Sequence, residues 1–170
     1  MFPISHFNIT RTPFYYYDKT LLSNTLAKLI RLAGERNYHV HYAVKANANP
    51  EILKLIAASG IGADCVSGGE IKAALEAGFP AKKIVFAGVG KADWEIEYAL
   101  EKKIFCFNVE SAEELSVIEE LAKKKENIAS IALRINPNID AHTHEYITTG
   151  LSENKFGIPI EMLDSIFSQI

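Results

Sequence analysis

The sequence lacks most of the features that mark a specialised class of protein. Only two of its 170 residues are cysteine, Cys65 and Cys106, and they form no Cys-x-x-Cys motif. Both lie in apolar, strand-like runs, so we expect buried, reduced thiols in a cytosolic protein rather than a disulfide or a metal site. No apolar run approaches the roughly 18 residues of a transmembrane helix. Residues 1–6 have neither the basic nor the apolar region of a signal peptide.

Charge of one sign is not in large excess. The chain has 18 basic and 21 acidic residues, a formal net charge of −3, which gives no reason to expect binding to nucleic acid or to an anionic membrane. Hydrophobic residues make up 48% and charged residues 23%, which is the balance of a soluble globular protein. The length is enough for one domain with its own core.

Histidines with a familiar metal-binding spacing are also missing. His39 and His41 alternate along a predicted strand and share the face of Lys45, a pattern that favours interior histidines over metal ligands. His142 and His144 flank one residue of a polar loop, where a solvated or substrate-facing position is favoured over a metal pair. The sequence therefore predicts no metal site.

What the sequence does contain is a regular alternation of strand and helix signals from residue 38 onward. Short apolar runs that predict strands recur every 20–25 residues or so, which is typical of βα units in a parallel sheet. An open doubly wound sheet and a (β/α)₈ barrel both fit this alternation. The predicted strands are 39–45, 62–67, 83–88, 104–108 and 129–135. The predicted helices are 50–59, 69–77, 93–102, 111–124 and one from about 159, with Asp93 as an N-cap and a polar loop over 136–157.

The first 37 residues follow a different pattern. Residues 12–18, TPFYYYD, form an aromatic stretch with high β propensity, and residues 20–32 have the apolar spacing of a helix. An aromatic strand outside the βα repeat has no evident partner in this chain, so we expect it to belong to another sheet.

One lysine stands at the end of the first predicted strand. Lys45 closes an apolar run and is followed at once by small and turn-forming residues, in the segment YAVKAN over 42–47. Burial lowers the pKa of an amine, and a neutral amine can form a Schiff base with an aldehyde. The alternative is a strand that simply ends in solvent with a charged residue.

Further polar side chains follow the ends of the other predicted strands, where parallel α/β folds gather their functional residues. A carboxylate at Asp64 or Glu70 is suited to orient the Lys45 amine, and Arg134 to bind a phenolate or carboxylate oxygen. Each has a structural alternative: a loop hydrogen bond for Asp64, a helix first-turn carboxylate for Glu70 and a buried ion pair for Arg134. Asn108 is interpreted as a turn former.

A glycine-rich segment ending in Lys91 superficially resembles a phosphate-binding loop. That loop requires Gly-x-x-x-x-Gly-Lys-Ser/Thr, whereas here Val85 stands five positions before Gly90 and Ala92 stands at the hydroxyl position. No Gly-x-Gly-x-x-Gly follows the first strand either. Nucleotide binding is therefore not predicted.

Seven segments carry a resemblance that covers about residues 12–157. They are 42–47, 62–70, 83–91, 107–111, 134–141, 143–150 and 153–157. Together they resemble the PLP-dependent, alanine-racemase-like decarboxylases, and within them the diaminopimelate decarboxylase branch. The lysine segment is shared with the wider group that includes ornithine decarboxylase, whereas the long loop after the fifth strand is more specific to the diaminopimelate branch.

The resemblance implies a fold and a set of roles. The fold would be a (β/α)₈ barrel with a separate β domain, residues 1–37 contributing to the β domain and residues 38–170 forming part of the PLP-binding barrel. Lys45 would carry pyridoxal 5'-phosphate as a Schiff base, with Asp64, Glu70 and Arg134 near the cofactor. The implied residues of the substrate loop are Ile147, Asn154 and Lys155.

The implied reaction is decarboxylation of meso-2,6-diaminopimelate to L-lysine by a cytoplasmic homodimer. Only five of the eight barrel strands are counted, and the family's phosphate-binding segment lies downstream of this sequence. We therefore expect a truncated form whose activity alone is weak or absent. The alternatives are a related amino-acid or polyamine decarboxylase, a non-catalytic PLP-binding protein and a remnant interaction module.

Overall fold

The computed structural model describes residues 4–137 and 156–168. Helices and strands alternate along most of this part of the chain. The helices are α1 Ile4–Phe7, α2 Lys19–Gly34, α3 Pro50–Ala58, α4 Gly68–Ala77, α5 Asp93–Lys102, α6 Ala112–Lys124 and α7 Leu163–Phe167. The strands are β1 His41–Ala43, β2 Gly62–Cys65, β3 Ile84–Phe86, β4 Cys106–Val109, β5 Ile131–Leu133, β6 Ile135–Asn136 and β7 Ile158–Pro159.

The first five strands form one parallel sheet in the order in which they occur along the chain. A doubly wound sheet reverses its strand order at a switch point, whereas the order here is sequential. The strand order therefore favours the (β/α)₈ barrel over the doubly wound sheet. The fold is a (β/α)₈-type barrel of which five βα units are described, as predicted. Strands β6 and β7 form a separate parallel pair.

The two faces of the five-stranded sheet differ sharply. One face packs under helices α3–α6 and carries the fully buried core, including Ala63, Phe86 and Val109. The strand register places His41, Ala43, Asp64, Val85 and Asn108 on the other face. We call this second face the open face, because no described residue covers it as a layer and it corresponds to the interior of a closed barrel.

Helix starts follow the local chemistry of the sequence. Asn49 caps α3 through its side-chain oxygen, with Pro50 in the first helical turn. The hydroxyl groups of Ser67 and Ser111 accept the N–H groups of residues three positions later, at the starts of α4 and α6. Helix α4 ends at Gly78, which has a positive φ of 100°.

Three local predictions were wrong. Asp93 is the first residue of α5 and not its cap, because Ala92 occupies the cap position and the Glu95 carboxylate accepts the Ala92 N–H at 3.0 Å. Asn108 is not a turn former, since its backbone pairs with Ala132 of β5, although its place in the predicted strand 104–108 is confirmed. The strands are also shorter than predicted, because the chain turns as soon as it leaves the sheet.

The N-terminal segment contains helix α2, whose N-cap is Asp18, as the apolar spacing predicted. Residues 12–18 form no strand in the described structure. The Phe7 ring packs at 5.4 Å from Phe14 and at 5.1 Å from Tyr16, centroid to centroid. The assignment of this segment to a separate β domain stays a prediction. Within the described residues, no helix is long and apolar enough to cross a membrane.

Candidate active site at the carboxyl ends of the strands

Lys45 lies on a single 3₁₀ turn, Val44–Ala46, immediately after β1. The turn is held by Asn47, whose backbone oxygen accepts the Tyr42 hydroxyl at 3.1 Å and whose side-chain amide donates to the Tyr17 hydroxyl at 3.0 Å. The Lys45 side chain is exposed rather than buried, which corrects the expectation of a desolvated amine. The lysine is therefore presented on a braced turn at the rim of the sheet.

Asp64 lies next to Lys45 on the neighbouring strand. Its Cα pairs with that of Ala43, two residues before the lysine, so its side chain lies on the open face, and the Lys45 charge is near enough to act on it. The Asp64 Oδ1 atom is buried and has no hydrogen-bond partner. Burial raises the pKa of the Asp64 carboxyl, while the positive charges of Lys45 and His41 act in the opposite direction. A buried acceptor without a partner beside an exposed amine is costly for the fold and is typical of a ligand site.

Glu70 is engaged with the backbone of its own loop. Its Oε2 atom accepts the Val66 N–H at 2.7 Å, and its own N–H donates to the Ser67 hydroxyl at 3.2 Å. These are the contacts of a helix-capping carboxylate, so they support the structural alternative for Glu70. Its predicted place near the cofactor stays a prediction.

Arg134 follows β5 on the open-face side of the sheet. Its Nη1 atom donates to Glu110 Oε2 at 2.6 Å, and its Cζ atom lies 5.9 Å from the Phe156 ring centroid. The Arg134 side chain is 50% exposed, whereas that of Glu110 is 5% exposed. The ion pair predicted as the alternative for Arg134 is present, but only its carboxylate half is buried.

Lys91 is buried and bonded to protein acceptors. Its side chain is 1% exposed, and its Nζ donates to the Gly88 oxygen at 2.7 Å, the Asn108 oxygen at 2.9 Å and Glu114 Oε1 at 2.5 Å. An ammonium group has three donors, and all three are used. That the glycine-rich segment is not a phosphate loop stays a prediction.

Comparisons with known proteins agree with this geometry. Residues 23–169 match the family model described as the pyridoxal binding domain of pyridoxal-dependent decarboxylases. The chain belongs to this family. It is 61% identical over 167 residues to diaminopimelate decarboxylase of Bacteroides thetaiotaomicron, which covers 98% of this chain and 43% of the relative.

Solved structures of the pyridoxal-dependent decarboxylases give the same result. Diaminopimelate decarboxylase from Helicobacter pylori in complex with L-lysine has a TM-score of 0.83 and 45% identity, covering 98% of this chain and 42% of that one. The enzyme from M. jannaschii in complex with L-lysine has a TM-score of 0.87 and 38% identity, covering 98% and 40%. The chain thus spans about two fifths of the length of the relatives that it matches.

The cofactor predicted for this family, pyridoxal 5'-phosphate, suits the residues at the rim. The exposed Lys45 amine is the group that an aldehyde requires, and the unpartnered Asp64 Oδ1 is an acceptor in need of a donor. The half-exposed Arg134 guanidinium is suited to an anionic oxygen. Among the described residues, no cluster of three or more histidine, cysteine or acidic side chains is arranged for a metal ion.

Some site predictions fall outside the described residues, and some site residues were not predicted. Ile147, Asn154 and Lys155 of the predicted substrate loop lie in the part of the chain that is not described, as do His142 and His144.

The sequence reasoning missed the role of Glu110. Its position directly after a strand was a usable signal, because the other site candidates were chosen on that criterion.

Proposed function

We propose that this chain supplies the lysine-bearing part of a PLP-dependent decarboxylase that converts meso-2,6-diaminopimelate to L-lysine in lysine biosynthesis. The observation that carries the proposal is the unpartnered Asp64 Oδ1 beside Lys45 on the open face. The 61% identity to a diaminopimelate decarboxylase over nearly the whole chain supports the choice of substrate. So do the two related enzymes solved with L-lysine.

Each residue has a distinct task in this proposal. Lys45 provides the amine that holds the cofactor aldehyde, and Asp64 orients that amine and accepts a proton or hydrogen bond at Oδ1. Arg134 donates to an anionic oxygen of the cofactor, and Glu70 keeps the loop beside Asp64 in place by capping α4. The cofactor, when bound, supplies the electron sink for loss of CO₂.

The proposal extends to the organisation of the whole enzyme. Residues 1–37 would contribute to a separate β domain and residues 38–170 to the barrel, in a cytoplasmic homodimer. Exposed aromatic side chains at 14–17 support a further contact for the N-terminal segment. Cys65 and Cys106 are buried and unpaired, and burial raises the pKa of Cys65 to about 12, which suits a reducing compartment. Ile147, Asn154 and Lys155 would contact the substrate.

The first test asks whether the cofactor condenses with Lys45. The chain is incubated with PLP, reduced with borohydride and digested, and the modified lysines are mapped by mass spectrometry. We expect the label on Lys45 and its loss in Lys45→Ala. The matched control is Lys72→Ala, which changes an exposed lysine on α4. Equal labelling of many lysines, or labelling unaffected by Lys45→Ala, would overturn the proposal.

A second measurement separates the candidate functions. Release of CO₂ is compared for meso-2,6-diaminopimelate, ornithine and carboxynorspermidine, with the chain alone and with a C-terminal part of a relative added. Turnover of diaminopimelate supports the proposal, and a preference for another amine indicates a related decarboxylase. Labelling without turnover of any substrate indicates a non-catalytic PLP-binding protein. Absence of both indicates an interaction module.

A further inference from the structure

Three neighbouring strand ends are joined by a single charged network. Gly88 follows β3, Glu110 follows β4 and Arg134 follows β5, and Glu110 contacts both of the others. Because consecutive parallel strands place their carboxyl ends side by side, this network runs along the rim that also carries Lys45.

Both carboxylate oxygens of Glu110 are used. Oε1 accepts the Gly88 N–H at 3.1 Å, and Oε2 accepts Arg134 Nη1 at 2.6 Å. The side chain is 5% exposed, so the carboxylate is desolvated and each contact is charge-assisted. A carboxylate bound in this way has one orientation, and that orientation fixes the place of the arginine.

The backbone of Glu110 is held from the opposite side. Its N–H donates to Glu114 Oε2 at 2.8 Å, and Glu114 Oε1 accepts Lys91 Nζ at 2.5 Å. Lys91 in turn bonds the backbone oxygens of Gly88 and Asn108. The buried lysine thus connects the loop after β3 to the end of β4 and to the start of α6. A shift of the Glu110 backbone would break its contact with Glu114 of the Lys91–Glu114 pair.

Arg134 is the one member of the network that reaches solvent to a large extent. Its side chain is half exposed and lies against the Phe156 ring, while the other charged members, Lys91, Glu110 and Glu114, are 1%, 5% and 13% exposed. A guanidinium has five N–H donors in a fixed plane, so a bond at one nitrogen restricts the directions in which the others can point.

We propose that Glu110 is a positioning residue for Arg134. Its carboxylate is held by the Gly88 N–H, its backbone is held by the buried Lys91–Glu114 pair, and the carboxylate aims the exposed part of the guanidinium along the rim. Arg134 then meets an anionic oxygen of the bound cofactor without reorienting, which lowers the cost of binding. The direction of Arg134 toward the cofactor rests on the proposed function. The ion pair by which Glu110 fixes Arg134, called the hold below, does not rest on it.

The hold is tested without the cofactor, by NMR of the arginine side chains. The chain has four arginines, and an Arg134→Lys variant assigns the Arg134 Nη–H signals. Glu110→Gln keeps an acceptor for Gly88 but removes the charge that binds Arg134. We expect exchange of the Arg134 Nη1 protons, one of which binds Glu110, with water to become faster on the order of tenfold. Glu113→Gln, an exposed neighbour on α6, should leave the signal unchanged. An unchanged signal in Glu110→Gln would overturn the hold.

The consequence for the cofactor is tested by a double-mutant cycle on PLP affinity. Glu110→Gln should raise the Kd for PLP on the order of tenfold, and should raise it no further in the Arg134→Gln background. Additive effects would show that Glu110 acts through the fold and not through Arg134. The proposed function fails if Arg134→Gln binds PLP as tightly as the unaltered chain, or if the unaltered chain binds no PLP. In either case the NMR experiment still shows whether Glu110 fixes Arg134.

Discussion

At the scale of single residues, Asp64 is the clearest departure from a purely structural chain. A carboxylate oxygen that is buried without a partner lowers stability, and nothing in the sheet requires an acid at this position. By contrast, the charged groups of Glu110 and Lys91 near the neighbouring strand ends have hydrogen-bond partners. An unsatisfied group among satisfied ones favours a role in binding a ligand.

We expect Asp64→Asn to stabilise the chain at neutral pH. Burial raises the folded-state pKa of Asp64 above its unfolded value. Its contribution to stability is therefore full below the unfolded pKa and is lost as the pH rises through the folded pKa, so at pH 7 the unaltered chain carries the penalty. Because the carboxyl is only partly buried, we expect a gain of about 1 kcal/mol, equivalent to roughly 2–4 °C in Tm.

Thermal unfolding monitored by circular dichroism between pH 3 and pH 8 measures this effect. The difference between Asp64→Asn and the unaltered chain should shrink as the pH falls through the raised folded-state pKa of Asp64 toward the usual range of an aspartate. The control is Glu101→Gln, which changes an exposed carboxylate on α5. Equal Tm values at pH 7, or a difference that grows toward low pH, would contradict the assignment.

Residue positions were predictable where they depended only on where a strand ends. Lys45, Asp64 and Arg134 were placed at the rim from the sequence, and the structure has them there. The partner of Arg134 was not predictable, because it depends on which strand ends are adjacent in space. The burial of Lys91 was not predictable from its local spacing, because it depends on Glu114, which is 23 residues away.

At the scale of elements, three successive helices begin in nearly the same way. In α4 and α6 a serine hydroxyl caps the helix. A glutamate three residues after the serine accepts the backbone N–H of the residue that precedes the serine. In α5 the glutamate is present as Glu95, but Ala92 has no oxygen with which to cap. Helix starts were thus largely predictable, and the exception arose because Asp93 looked like a better cap than alanine.

We expect Ala92→Ser to stabilise the chain by about 0.5–1 kcal/mol. The φ and ψ of Ala92, −80° and 154°, already match those of a cap, so a hydroxyl gains a contact without moving the backbone. Ser111→Ala should lose about 1 kcal/mol for the opposite reason. Urea unfolding of both variants measures the two effects, and a loss of stability in Ala92→Ser would contradict the account of α5.

At the scale of the whole molecule, the alternation of the sequence predicted the kind of fold but not its closure. Barrels and doubly wound sheets share the same βα period, and only contacts between units distant in sequence reveal the strand order. The sequential order β1–β5 leaves each outer strand paired on one side within the described residues. The open face also presents Ala43, Val85 and Ala132, which are partly exposed or exposed.

We expect the 170-residue chain to self-associate through these surfaces at high concentration. Ala132→Glu places a charge on the open face of β5 and should lower the weight-average mass measured by sedimentation. Ser116→Glu places the same charge on the exposed side of α6 and should have no such effect. A chain that is monomeric at every concentration would contradict this expectation.

The glutamates at the starts of α5 and α6 also link their own βα units to the preceding ones. Glu95 accepts the Gly68 N–H at 2.6 Å, and Glu114 accepts Lys91, so the units of α4 and α5 are each completed by the unit that follows. Stabilising contacts of this kind span only 20–30 residues of chain. During synthesis on the ribosome, each unit can therefore be locked soon after the next helix emerges, and the sheet can grow strand by strand from its N-terminal edge.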